Sequence, residues 1–173
     1  MGEQGNARER SQRRETYVLF TLVVLLVSLG SLVQTAPNAM IPAIMADFGV
    51  TVELGQWLTT AYMLVIGISV PSSTYCSKKL DIKVHVLIGG CVMSAGLLLD
   101  YFAPSFWLML VGRVVQAVSV GMLMPLMQNI AVMRFPAGQK ATAMGVAGIA
   151  LGFAPNIGPT DLKSTRLNSS HAR

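Results

Sequence analysis

The sequence predicts an all-α, polytopic membrane protein with five transmembrane helices. Three observations predict it. Hydrophobic residues make up 53% of the chain and charged residues 12%, against roughly 25% charged in an ordinary soluble domain. That apolar share needs a larger core than 173 residues can enclose. The apolar residues also fall in runs long enough to cross a hydrocarbon layer of ~30 Å at 1.5 Å per residue. No run alternates with period two, which argues against a barrel. A disordered chain needs few apolar residues and is excluded. Two cysteines, Cys76 and Cys91, with no short spacing exclude a disulfide scaffold.

The first run, Tyr17 to Thr35, carries no charge. It is too long for the apolar region of a secretory signal peptide, and Pro37 follows the best candidate cleavage point at Ala36. The second span runs from about Gln56 to Cys76, and the third from Val84 to Leu99. Phe106 to Met133 forms the fourth, interrupted by Arg113, and the fifth runs from about Ala141 to Thr160. Backbone polar groups in lipid must be paired within the segment, so each run is expected to be helical.

Basic residues set the orientation. Arg8, Arg10, Arg13 and Arg14 precede span 1, Lys78, Lys79 and Lys83 join spans 2 and 3, and Arg134 and Lys140 join spans 4 and 5. The other two connections, Pro37–Gly55 and Asp100–Ser105, hold none. The N-terminus is therefore expected on the cytoplasmic side of a cell membrane. Trp57, Tyr101, Phe102, Phe106 and Trp107 are expected at the outer boundary, and Tyr17 and Phe135 at the inner one. The net charge of +5 reads as a topology signal, not as a nucleic-acid surface. Cys76 faces the reducing side, so a disulfide with Cys91 is not expected.

The organisation expected is a cytoplasmic tail over 1–16, a membrane unit over 17–160, and a distinct tail over 161–173. That last stretch, DLKSTRLNSSHAR, is polar and places Lys163, Arg166 and Arg173 on the side where basic residues are disfavoured. It reads either as an external loop or as a non-native sequence resembling translated adapter, and the break at Asp161 favours the second.

No enzyme constellation is present. His85 and His171 are isolated and offer no metal-ligand spacing. No phosphate-binding glycine loop appears. The chain is read as a non-enzyme with no cofactor and no metal. Chemistry falls instead to polar groups inside the spans. Arg113 is the clearest, since an arginine at a helix centre costs ~2.5–3.5 kcal/mol on insertion scales. Its long stem permits snorkelling outward. Against that, Gln116 shares its face, and Ala117 and Gly121 form a small-residue pair beside it. In span 5, Gly145, Gly148, Gly152, Ala154 and Gly158 leave one flank almost bare, while Pro155 and Pro159 bend the helix. That flank reads as an ordinary helix contact or as part of a gating surface. Asn38, between Pro37 and Pro42, lines a water-filled path or begins the outer loop. The methionines Met122, Met124 and Met127 face ligand or lipid.

These pieces together resemble the N-terminal third of a major facilitator superfamily transporter of the 14-helix drug:proton antiporter type (EmrB/QacA-like), over roughly Ser31 to Thr160. Asn38-Ala-Met-Ile-Pro42 and Gln56-Trp57-Leu-Thr-Thr-Ala-Tyr62 resemble the helix 1–2 pattern. Gly112-Arg113-Val-Val-Gln116-Ala117 is similar to the helix-4 motif, whose Arg and Gln are implicated in coupling. Phe135-Pro136 and Ala143-Met144-Gly145 resemble the entry to helix 5. Gly145, Ala154, Gly158 and Pro159 fall on the spacing of the helix-5 antiporter motif. Four departures stand out. The helix-1 acid would fall at Val33. The loop with Lys79 and Lys83 lacks the family's Gly and Asp. Ala117 replaces a Gly, and the helix-5 motif stops at Thr160.

The resemblance implies proton-coupled efflux of small apolar or amphipathic compounds by a longer parent, with the bilayer, a small-molecule substrate, protons and further C-terminal helices of the same chain as partners. Five helices are an incomplete half of such a protein, so the chain as written is expected to be inactive alone. A five-span scaffold and an uptake symporter are the competing readings.

Overall fold

The computed structural model describes residues 2–76 and 80–152, and side chains over 10–37, 40–75 and 80–152. Four long helices account for most of it: α1 (Gly2–Phe48), α2 (Val52–Cys76), α3 (Ile82–Tyr101) and α4 (Phe106–Met133). A fifth helical stretch, α5, occupies 137–152. Four helices are long and apolar enough to cross a membrane, and the best window of α1 is Arg10–Pro37. The described part of the fifth predicted span is helical, but Ala154 to Thr160 lie outside the described residues, so four of the five expected spans are found. The 161–173 tail lies outside them too.

The fourth span matches the sequence reading to the residue. Ser105 caps it, its hydroxyl accepting from the Leu108 N–H at 3.5 Å. The first span does not match. Pro37 and Pro42 were expected to open an outer loop reaching Gly55, yet α1 continues through both to Phe48. Proline is tolerated inside a membrane helix when other groups satisfy the carbonyls it frees. The true connection is Gly49 to Thr51. Gly49 has φ +62°, the left-handed conformation that ends a helix without a Cβ penalty.

The central helix is α4. It packs against α1, α2 and α3, while α2 and α3 flank it without meeting among the described residues. Small residues allow the close approaches. A Cβ on Gly96 would lie 3.0 Å from the Gly112 carbonyl oxygen, and one on Gly112 would lie 3.1 Å from that of Gly96. One heptad further along both helices, the Ser119 hydroxyl donates to the Gly89 carbonyl at 2.6 Å. On the other flank, Gly121 receives Ser69 of α2, and the Ser73 hydroxyl donates to the Met122 carbonyl at 2.7 Å.

Two apolar clusters form the core. One joins Phe20, Val23, Val24 and Val27 of α1 to Leu123, Leu126, Met127 and Ile130 of α4, and takes in Ala143 and Ala147 of α5. The other joins Ile44, Leu58 and Phe106. Phe106, expected at the outer boundary, is therefore turned inward. Trp57, Trp107, Tyr101 and Phe102 are exposed. At the opposite end Tyr17 meets Phe135 edge-on with ring centroids 5.1 Å apart. Lys83 Nζ lies 2.6 Å from Glu15 there, so the start of α1 and the basic connections share one end.

Candidate functional site, a buried polar layer

Between the two apolar clusters α4 carries Arg113, Gln116 and Ser119. Arg113 is 7% exposed and Gln116 0%, so the arginine does not snorkel to solvent. It is held by two helices, α1 and α3. Its Nη1 donates to the Val33 carbonyl of α1 at 2.5 Å. Its Nε lies 3.1 Å from Asp100 Oδ2 of α3. That contact is a close charge pair without aligned hydrogen-bond geometry, since Nε has no hydrogen-bond acceptor. Gln116 Nε2 donates to the same Asp100 Oδ2 at 2.9 Å. Tyr62 of α2 is buried nearby, and its hydroxyl donates to the Gly30 carbonyl of α1 at 3.1 Å.

Helix geometry explains how these groups meet. Side chains on a helix lean toward its N-terminus. On α4 that direction leads back to the α3–α4 turn, where Asp100 ends α3. Arg113 and Gln116 are therefore long enough to reach an acid at the helix end. A Cβ on Gly112 would collide with Asp100, so glycine there makes room for the carboxylate. The layer stays under-satisfied: Asp100 Oδ1 and Gln116 Oε1 are buried without hydrogen-bond partners.

Of the residues expected from sequence, Arg113 and Gln116 come together here. The small pair beside them packs on a helix, not on a cavity: Ala117 is buried and Gly121 receives α2. Asn38 lies within α1, its side chain outside the described ones. Lys83, expected in the loop between spans 2 and 3, is instead the second residue of α3, where it pairs with Glu15, and Lys79 lies outside the described residues. On α5 a Cβ at Gly145 or Gly148 would meet only open space, so no described element covers that flank. Ala154, Gly158 and Pro159 lie outside the described residues. Asp100 was missed because it reads as the polar end of a span. The signal for it was a four-residue turn that places an acid within reach of Arg113.

A cleft of about 380 Å³ opens between α1 and the α4–α5 turn, lined by Arg13, Tyr17, Arg134 and Phe135. Among the described residues, no group of His, Cys, Asp and Glu could hold a metal ion.

Comparison with known proteins places this arrangement. The Major Facilitator Superfamily profile matches residues 22–160. The uncharacterized MFS-type transporter YcnB of Bacillus subtilis is 38% identical over 127 residues, covering 73% of this chain and 27% of that protein. The lincomycin resistance protein LmrB of Bacillus subtilis is 34% identical over 150 residues, covering 87% of this chain and 31% of its own length. LmrB of Listeria monocytogenes is 35% identical over 132 residues, covering 76% and 28%. The chain thus spans between a quarter and a third of the length of these relatives. With a profile match over most of its length and four apolar helices around a buried arginine, the chain belongs to the Major Facilitator Superfamily of membrane transporters.

Proposed function

We propose that these helices form the first part of a proton-driven exporter of small apolar or amphipathic compounds, of the 14-helix drug:proton antiporter type. The observation that carries this reading is Arg113, buried and engaged by α1 and α3, with Gln116 beside it. An arginine kept at that depth is costly, and structural packing alone would be served by an apolar side chain. Relatives named for lincomycin resistance support export of drug-like compounds. The bare flank of α5 at Gly145 and Gly148 supports a further helix packing there, as two rocking halves require.

In this reading 1–16 is cytoplasmic, 17–160 is membrane-embedded, and the protein resides in the plasma membrane. Gly145, Ala154, Gly158 and Pro159 carry the helix-5 antiporter motif, and Lys79, with Lys83 at the start of α3, lies on the cytoplasmic side. The substrate, the protons and the remaining helices are the partners of these five helices. The test uses a full-length parent carrying this sequence, in everted membrane vesicles with an acidic interior. Lincomycin accumulates inside, and a protonophore abolishes the accumulation. Accumulation indifferent to the proton gradient, or substrate moving inward with protons in whole cells, would overturn the reading.

A further inference from the structure

The polar layer contains an acid that the resemblance did not supply. The helix-1 position that resembles the family's acidic site is Val33, which has no ionisable group. Arg113 nevertheless reaches that position, through the Val33 backbone carbonyl. Among the described residues the only carboxylate it meets is Asp100, arriving from α3. We propose that Asp100 is the proton-carrying carboxylate of this transporter, replacing from α3 the acid that α1 lacks. This rests on the proton-driven reading above.

Four observations carry it. Asp100 is 14% exposed and one residue from the end of α3, beside Tyr101 at 82% exposure. It is thus enclosed enough to matter and near enough to water to exchange a proton. Its Oδ2 serves both Arg113 and Gln116, while its buried Oδ1 has no partner and is open to a proton. The surroundings contain little else that titrates. From α4 it faces Arg113 and Gln116, and from α1 the arginine is met by a carbonyl. From α2 the nearby titratable group is Tyr62, whose hydroxyl donates to the Gly30 carbonyl. On α3 itself no other charged residue lies within two turns. Finally, Asp100 sits at the end of the bundle opposite the basic connections. In the orientation proposed, that is the face from which an exporter takes its proton.

The proton step balances simply. A proton from the outer aqueous phase bonds to Oδ1, the carboxylate becomes a neutral acid, and the charge contact with Arg113 is lost. The pair goes from neutral to singly positive, and release of the proton reverses this. Arg113 is then held only by α1 and is free to take another acceptor on the rocking half.

The experiment is an infrared pH titration of the full chain in lipid vesicles, wild type against Asp100→Asn. Wild type shows a carboxylic-acid carbonyl band that appears on acidification and that the variant lacks. Asp100→Glu restores a titrating band at a displaced pH, which a purely structural role would not do. In the full-length parent, gradient-driven lincomycin accumulation falls by about tenfold or more in Asp100→Asn, the scale of one lost coupling. Lincomycin counterflow, which moves no net proton, stays measurable and shows that the variant is folded. Identical titrations in wild type and Asp100→Asn, or gradient-driven accumulation retained in the variant, overturn the proposal while leaving proton-driven export standing. A wild-type parent indifferent to the proton gradient overturns both.

Discussion

Arg113 on α4 donates to the carbonyl that Pro37 leaves without a partner on α1. In an α-helix the N–H of residue 37 would bond the carbonyl of residue 33. Proline has no N–H, so the Val33 oxygen is freed. Arg113 Nη1 lies 2.5 Å from it. A buried cation and a freed carbonyl thus satisfy each other, which lets an arginine and a proline persist inside apolar helices.

That pairing predicts coupling between the two positions. Pro37→Ala restores an N–H that competes for the Val33 oxygen. Removing Arg113 then costs less in the alanine background than in wild type. A double-mutant cycle on detergent unfolding should give a coupling of about 0.5 kcal/mol or more. Strict additivity would show that the carbonyl contact carries no weight.

The crossing of α3 and α4 predicts a sharp contrast among glycines. Alanine at Gly96 or Gly112 has to displace backbone or the Asp100 carboxylate. Each should destabilise by about 1–3 kcal/mol, the usual cost of overpacking. Alanine at Gly145 meets open space. In this chain it should be neutral or stabilising by up to about 1 kcal/mol, from helix propensity alone. Thermal unfolding in detergent separates the two groups.

Interhelical bonds to carbonyls should be individually modest. Tyr62→Phe and Ser119→Ala each remove one buried donor. A loss of about 0.6–1.5 kcal/mol apiece is expected in unfolding assays. The exposed Lys83–Glu15 pair, 65% and 40% exposed, should change stability by less than about 1 kcal/mol when neutralised.

The orientation is open to cysteine labelling. In a background lacking Cys76 and Cys91, Ser105→Cys should react with an impermeant maleimide added to intact cells. Gly138→Cys should react only after permeabilisation. The reverse pattern would invert the topology assigned from the basic residues.

Much of this architecture is written in local signals. α4 is legible to its ends because a serine cap opens it and a basic, proline-marked turn closes it. Arg113 and Gln116 stand out because charge and amide groups are rare in lipid. The length of α1 was not legible. Pro37 and Pro42 are strong local breakers, and only a distant arginine makes the first of them tolerable. Asp100 was hidden for a similar reason. At a helix end an acid looks solvated, and its burial follows from how closely two glycines let α3 and α4 approach. Both misses depend on contacts between helices, which no single span records.

The most direct test of the buried polar layer is the coupling energy between Asp100 and Arg113. Arg113→Met strands a buried carboxylate and should cost about 3–5 kcal/mol, whereas Asp100→Leu combined with Arg113→Met should recover much of that loss. Measured by reversible unfolding in mixed micelles, the cycle should give a coupling of about 1 kcal/mol or more. Additivity within about 0.5 kcal/mol would mean that the two charges do not interact, and would contradict the account.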